Sequence, residues 1–291
     1  MKGIILAGGS GTRLFPITKI ISKHLMYVFD KPMIYYPIST LILAGIKEIL
    51  IIGNKKDINH YKIIIDNGSQ WGIKINYQIQ EKPNGIAEAF IIAKDFIKDS
   101  SCCLILGDNI FYGNILTEIL SKAVKKNKTC TVLTYHVDKP QNFGIVEFSK
   151  NGKVKRVTEK PKKFIGNQAV VGMYFFNKEV TQIAANIKKS KRGELEITAI
   201  INQYIQKYQT IEIIKLGRGV TWFDAGTFDD LLRVSNFVKI TEDLQGLKIG
   251  CLDEIAFSEK LITKKQFIKL IKNEKNPENK IYLKKVLKDS I

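Results

Sequence analysis

The feature that most constrains this sequence is an alternation, through its N-terminal third, of short apolar runs with segments of helical period. Lys2–Ala7, Glu48–Ile52, Ile73–Ile79 and Cys102–Leu106 read as strands, and Pro37–Ala44, Asp57–Asp66 and Ala87–Ile97 between them as helices. Parallel neighbours need a crossover, and a crossover helix covers one face of the sheet. The expected fold is therefore α/β, with a mainly parallel, doubly wound sheet. The pattern changes at Thr129. Thr129–His136, Ile145–Phe148, Val154–Thr158 and Ala169–Phe176 read as an inserted β-rich part that adds antiparallel strands around a cleft. Beyond Asp224 the apolar residues return to helical spacing, in Leu231–Ile240, Thr263–Lys272 and Lys280–Lys288. One main domain over residues 1–240 with a packed helical C-terminal extension over 241–291 is expected.

Composition narrows the partners. Hydrophobic residues make up 45% and charged residues 25% of the 291, an ordinary globular balance that excludes disorder. The net charge of +18 would attract nucleic acid, anionic lipid or phosphorylated substrates. Its lysines are scattered, however, in Lys125-Lys126, Lys153 to Arg156, Lys162-Lys163 and Lys188 to Arg192. A nucleic-acid groove would gather them and interleave aromatics, so they read as solvated surface and no nucleic-acid partner is expected. Lys2–Ala7 is too short for a signal peptide, and no apolar run approaches a membrane span. A cytoplasmic location without a membrane partner is expected. Cys102, Cys103, Cys130 and Cys251 lack metal-binding spacing and read as inert reduced thiols.

Three motifs carry chemistry. Leu6-Ala7-Gly8-Gly9-Ser10-Gly11-Thr12-Arg13 follows directly on the first strand. Such glycines can form a plain turn, or let backbone amides approach a polyphosphate as an anion nest, with Arg13 and then Lys23 as cations. No Gly-Lys-Ser/Thr closes the loop, and its spacing is not that of the dinucleotide fingerprint. Asp108, in Leu104-Ile105-Leu106-Gly107-Asp108-Asn109, stands where open α/β sheets collect ligands, at the carboxyl end of a strand. It can be a turn aspartate or a magnesium ligand beside phosphates. Trp222-Phe223-Asp224-Ala225-Gly226-Thr227 repeats the arrangement with Asp224.

Read together, these residues resemble the sugar-nucleotide pyrophosphorylases over nearly the whole chain. Asp30 to Pro37, Arg192 to Thr198 and Gln245 to Ile249 are similar to the branch that uses thymidine nucleotides. The resemblance implies a Rossmann-like sheet whose β-rich insertion binds the sugar, and transfer of a thymidylyl group from dTTP to glucose 1-phosphate with Mg²⁺. It implies that this opens dTDP-rhamnose and deoxysugar synthesis for surface polysaccharide, and that the enzyme is a homotetramer. Gly8, Gly11, Thr12, Arg13, Lys23 and His24 would hold the triphosphate, with Arg13 and Lys23 nearest the departing pyrophosphate. Gln80 and Gly85 would read the base, and Asp108 and Asp224 would hold the metal. Gly144, Glu159, Lys160 and Val170 would line the sugar-phosphate site, with Lys160 as its cation. His24, Tyr27, Glu88, Phe143, Ala199 and Ala225 depart from the family pattern. A second nucleotide site for feedback by dTDP-rhamnose keeps Arg218 and Gly219 but has Ser258 in place of an arginine, so weakened feedback is expected. UTP or another sugar phosphate as substrate, or a nucleotide-binding protein without turnover, are the alternatives.

Overall fold

Strand β1 (Lys2–Ala7) lies between two parallel neighbours, β4 (Glu48–Gly53) and β6 (Cys102–Leu106). The computed structural model of the chain describes residues 1–289. Before β4 come the short strands β2 (Tyr27–Val28) and β3 (Lys31–Pro32) and the helix α1 (Tyr35–Leu43). Helix α2 (Ile58–Ile65) and β5 (Lys74–Ile79) follow, β5 joining β4 in parallel at one edge. The expected helix over Ala87–Ile97 is two, α3 (Glu88–Ile92) and α4 (Lys94–Ile97), because Ala93 leaves the helical region at φ −81°, ψ 7°. After β6 the chain forms β7 (Asn109–Gly113), α5 (Leu116–Lys126) and β8 (Cys130–His136).

The insertion does not form a separate layer. Its strands β9 (Gly144–Phe148), β10 (Val154–Glu159) and β11 (Gln168–Phe176) extend the same nine-stranded sheet, in the order β10-β9-β11-β6-β1-β4-β5. β11 runs antiparallel to β6, β8 and β9, and its register slips between Val170 and Tyr174. Helices α6 (Val180–Asn186) and α7 (Ile197–Tyr208) lead to β12 (Glu212–Lys215), which pairs with β8 in parallel. β13 (Val220–Asp224) leaves the sheet and pairs antiparallel with β7 as a two-stranded ribbon. The chain ends in α8 (Phe228–Gln245), α9 (Leu252–Ser258), α10 (Lys264–Asn273) and α11 (Pro277–Asp289).

The central strands are apolar on both faces because helices cover both. Ile5, Ile49, Ile51, Cys103 and Ile105 point to a core shared with α1, α2 and α5. Ile4, Leu50, Ile52, Cys102 and Leu104 point to the opposite core, shared with α3, α6 and α7. Leu252, Ala256, Phe267, Ile271 and Leu283 of the last three helices belong to the first core, so the C-terminal segment completes one side of the sandwich. Residue 240 lies inside α8, whose Val234 and Val238 pack with Ile110 and Ala225 of the ribbon region.

Candidate active site

The site lies at the carboxyl ends of β1 and β6, beside the ribbon. Leaving β1, the chain crosses Gly8 and Gly11 and enters a single 3-10 turn, Thr12–Leu14, which buries Leu14 and leaves Thr12 and Arg13 exposed. A second such turn, Lys23–Leu25, carries Lys23 inward to an ion pair with Asp108. Asp108 stands in the turn from β6 to β7, and Asp224 ends β13 opposite Asn109. The Ala225 amide donates to the Asp108 carbonyl at 3.0 Å, so the two acidic segments lie side by side.

Asn109 fixes this arrangement. Its Oδ1 accepts from Trp222 Nε1 at 2.6 Å and from the Gly172 amide at 3.1 Å, and its Nδ2 donates to Asp108 Oδ1 at 3.0 Å. One buried side chain thus ties the ribbon to β11 and orients a carboxylate. Burial raises the Asp224 carboxyl to about 6, and the negative charge of Asp108 adds to that rise. Burial also pushes Asp108 up, but the Lys23 ammonium and the hydrogen bonds from Lys23 and Asn109 outweigh it and hold the carboxyl well below the usual range. Two carboxylates therefore share a space with less positive charge than both need. Among the described residues no group of three or more His, Cys, Asp and Glu side chains forms a closed metal cage. A pair of carboxylates fits Mg²⁺, which takes one or two of them and completes its shell with water and phosphate oxygens.

A cleft of about 840 Å³ opens from Thr12, Arg13 and Asp224 across to Lys160 and Arg192, with Phe143 and Trp222 between. The guanidinium of Arg13 crosses Gly226 so closely that a Cβ there would stand 2.5 Å from Nη2. On the far side Lys160 follows β10 in a left-handed conformation (φ 43°), its amide donating to the Phe143 carbonyl at 2.9 Å. Burial raises the pKa of Glu159, and repulsion from Glu196 adds to it. Arg192 lies 3.7 Å from Glu159 and 3.4 Å from Glu196. Gly144 begins β9 beside Glu159, and Val170 is largely packed within β11. Gln80 is buried against Gly8, while Gly85 (φ 116°) lies so close to the Leu195 backbone that a Cβ would meet its carbonyl oxygen at 2.5 Å.

The structure thus brings Thr12, Arg13, Lys23, Asp108 and Asp224 together and sets Lys160 across the cleft. His24 is not among them. It is 1% exposed, turned behind the loop onto Ser22 Oγ (3.0 Å) and the Tyr61 hydroxyl (3.3 Å), so it supports the loop and does not face the cleft. Sequence reasoning did not single out Asn109, Arg192, Phe143 or Trp222 as site residues. All four stand in or beside quoted motifs, but their contacts join segments far apart in the chain.

Comparison with known proteins bears on the chain as a whole. The family model for nucleotidyl transferases matches residues 2–240. The chain is 42% identical over 288 residues to the glucose-1-phosphate thymidylyltransferase of Neisseria meningitidis, covering 99% of this chain and 100% of that protein. It is 45% identical over 269 residues to the enzyme of that name from Xanthomonas campestris, covering 92% and 91%. Its fold is similar to a structure named for a glucose-1-phosphate thymidylyltransferase of Bacillus anthracis, with a TM-score of 0.73 and 37% identity over 81% of this chain and 94% of that one. A UTP-bound UGPase from Acinetobacter baumannii, at 19% identity and a TM-score of 0.70, covering 86% and 95%, shares the fold.

Proposed function

The chain belongs to the nucleotidyl transferase family, and from that premise we propose that it transfers a thymidylyl group from dTTP to glucose 1-phosphate, releasing pyrophosphate and dTDP-glucose. The observation that supports this best is the cleft itself. Arg13 and Asp224 line it together with Lys160 and Arg192, and the Lys23–Asp108 ion pair adjoins Asp224 through the Ala225–Asp108 backbone bond. Cations contributed by two separate parts of the chain suit two anionic substrates. A phosphate oxygen of the sugar phosphate attacks the α-phosphorus of dTTP, the α–β bridging bond breaks, and its electron pair leaves on pyrophosphate. Arg13 and Lys23 are assigned to the triphosphate, where charge builds on the leaving group, and Lys160 to the sugar phosphate. Bound at Asp108 and Asp224, Mg²⁺ would neutralise phosphate oxygens and relieve their repulsion during attack. Catalysis is then chiefly positioning and charge neutralisation, with no covalent enzyme intermediate.

Pyrophosphate release from dTTP, glucose 1-phosphate and Mg²⁺ tests the proposal. Turnover is expected with this pair and abolished by EDTA, and no release, or equal release in EDTA, would overturn it. UTP and other sugar phosphates in the same assay read the strictness of each site, since thymine differs from uracil by one methyl, about 1–3 kcal/mol of discrimination. A homotetrameric assembly and a place at the head of dTDP-rhamnose synthesis are part of the proposal. Sedimentation velocity tests the first. Feedback by dTDP-rhamnose is expected to be weak, given Ser258, and tight inhibition not relieved by raising dTTP would show the second nucleotide site to be whole.

A further inference from the structure

Gln80 is 3% exposed, and the two ends of its side-chain amide are held differently. Nε2 donates to Glu88 Oε2 at 2.7 Å. Oε1 lies over the glycine loop, where any Cβ on Gly8 would collide with it. The other oxygen of Glu88 accepts from Asn84 Nδ2 at 2.7 Å, and Asn84 Oδ1 accepts from Lys189 Nζ at 3.1 Å. Each orientation in this relay follows from which groups have protons to give. An ammonium only donates and a carboxylate only accepts. Lys189 therefore draws the Asn84 carbonyl toward itself and leaves the Asn84 amino group for Glu88. Glu88 in turn requires the amino end of Gln80. An amide that could otherwise sit either way round is left with its carbonyl over Gly8.

Resting on the reading that Gln80 meets the nucleobase, we propose that Glu88 is a positioning residue that locks the Gln80 carbonyl toward the base. The site then selects a ring N–H, as thymine and uracil present, against cytosine, whose ring nitrogen at that place is an acceptor. Cytosine would set one lone pair against another. A glutamine at position 88 would turn its carbonyl to Asn84 and its amino group to Gln80, and would no longer require the Gln80 amino end.

The test is equilibrium titration of dTTP and of dCTP onto the full chain, alongside initial rates, for the wild type, Glu88→Gln and Glu88→Ala. Glu88→Gln keeps the shape of the side chain and exchanges the acceptor-only carboxylate for a neutral amide that also donates. The preference for dTTP over dCTP is expected to fall roughly tenfold in both variants. The KM for dTTP should rise, while kcat at saturation and the KM for glucose 1-phosphate stay within about twofold. A merely structural role for Glu88 would instead lower kcat or raise both KM values. If both variants keep the full preference while Gln80→Ala loses it, the lock is overturned and the assignment of Gln80 stands. If the wild type binds dCTP as well as dTTP, the thymidylyl reading falls and the lock falls with it.

Discussion

His24 shows how a residue beside a cation can support a site without entering it. Burial, with the Lys23 ammonium adding to it, lowers its pKa to about 3. In the unfolded chain the imidazole titrates near about 6.5. Below that value the unfolded state takes up a proton that the fold refuses, so stability falls with pH until the folded ring itself protonates. Between about pH 7 and pH 5 the wild type is expected to lose about 2 kcal/mol more stability than His24→Gln, as read from urea denaturation at the two pH values. Equal losses would show that the folded ring takes up its proton as readily as the unfolded one. If Arg13 acts on the leaving pyrophosphate as proposed, Arg13→Ala is expected to lower kcat by roughly 10²–10³-fold. Gly226→Ala keeps Arg13 but puts a methyl 2.5 Å from its Nη2. Its kcat should fall in the same direction with little change in melting temperature, and unchanged kinetics would mean that the guanidinium works from another position. Arg13, Lys23, Asp108 and Asp224 were legible because each follows a strand end or a glycine loop. The close approach at Gly226 was not, because the group that meets it comes from residue 13.

The two-stranded ribbon of β7 and β13 brings the acidic residues together, and Asn109 holds the ribbon to the sheet. Asn109→Ala leaves the Trp222 indole N–H and the Gly172 amide without their acceptor, at a cost of about 2–4 kcal/mol. Activity should fall with stability, because Asp108 loses the donor that orients it. A variant as stable as the wild type would show that water replaces the amide. On the opposite wall, Lys160→Ala is expected to raise the KM for glucose 1-phosphate more than that for dTTP, and the reverse shift would show the two subsites exchanged. Central strands such as β1, β4 and β6 could be read from the sequence because strands buried on both faces are continuous apolar runs. The pairing of β7 with β13 could not, since each is a short mixed segment whose partner lies across the fold. The break at Ala93 was equally hidden, because alanine is the best of helix formers.

The helices beyond α8 belong to the same core as β1 and α1, so the chain does not divide where its composition turns helical. Ending it at Gly246 would take Leu252, Ala256, Phe267, Ile271 and Leu283 out of that core and strip α9 from α1. Such a truncation is expected to lose the cooperative thermal transition seen by circular dichroism in the full chain. A sharp melt in the shortened protein would mark the last helices as an accessory layer. The ribbon has a further consequence, in the time it takes to make the molecule. Asn109 and Trp222 are 113 positions apart. At roughly 5–20 residues per second, a ribosome needs on the order of ten seconds to cover that span. Through that interval a growing chain holds the glycine loop, Lys23 and Asp108 but not Asp224. The nascent protein therefore has its glycine turn before it has both acidic side chains, and the Lys23–Asp108 ion pair is the contact that can neutralise the first carboxylate until Asp224 is synthesised.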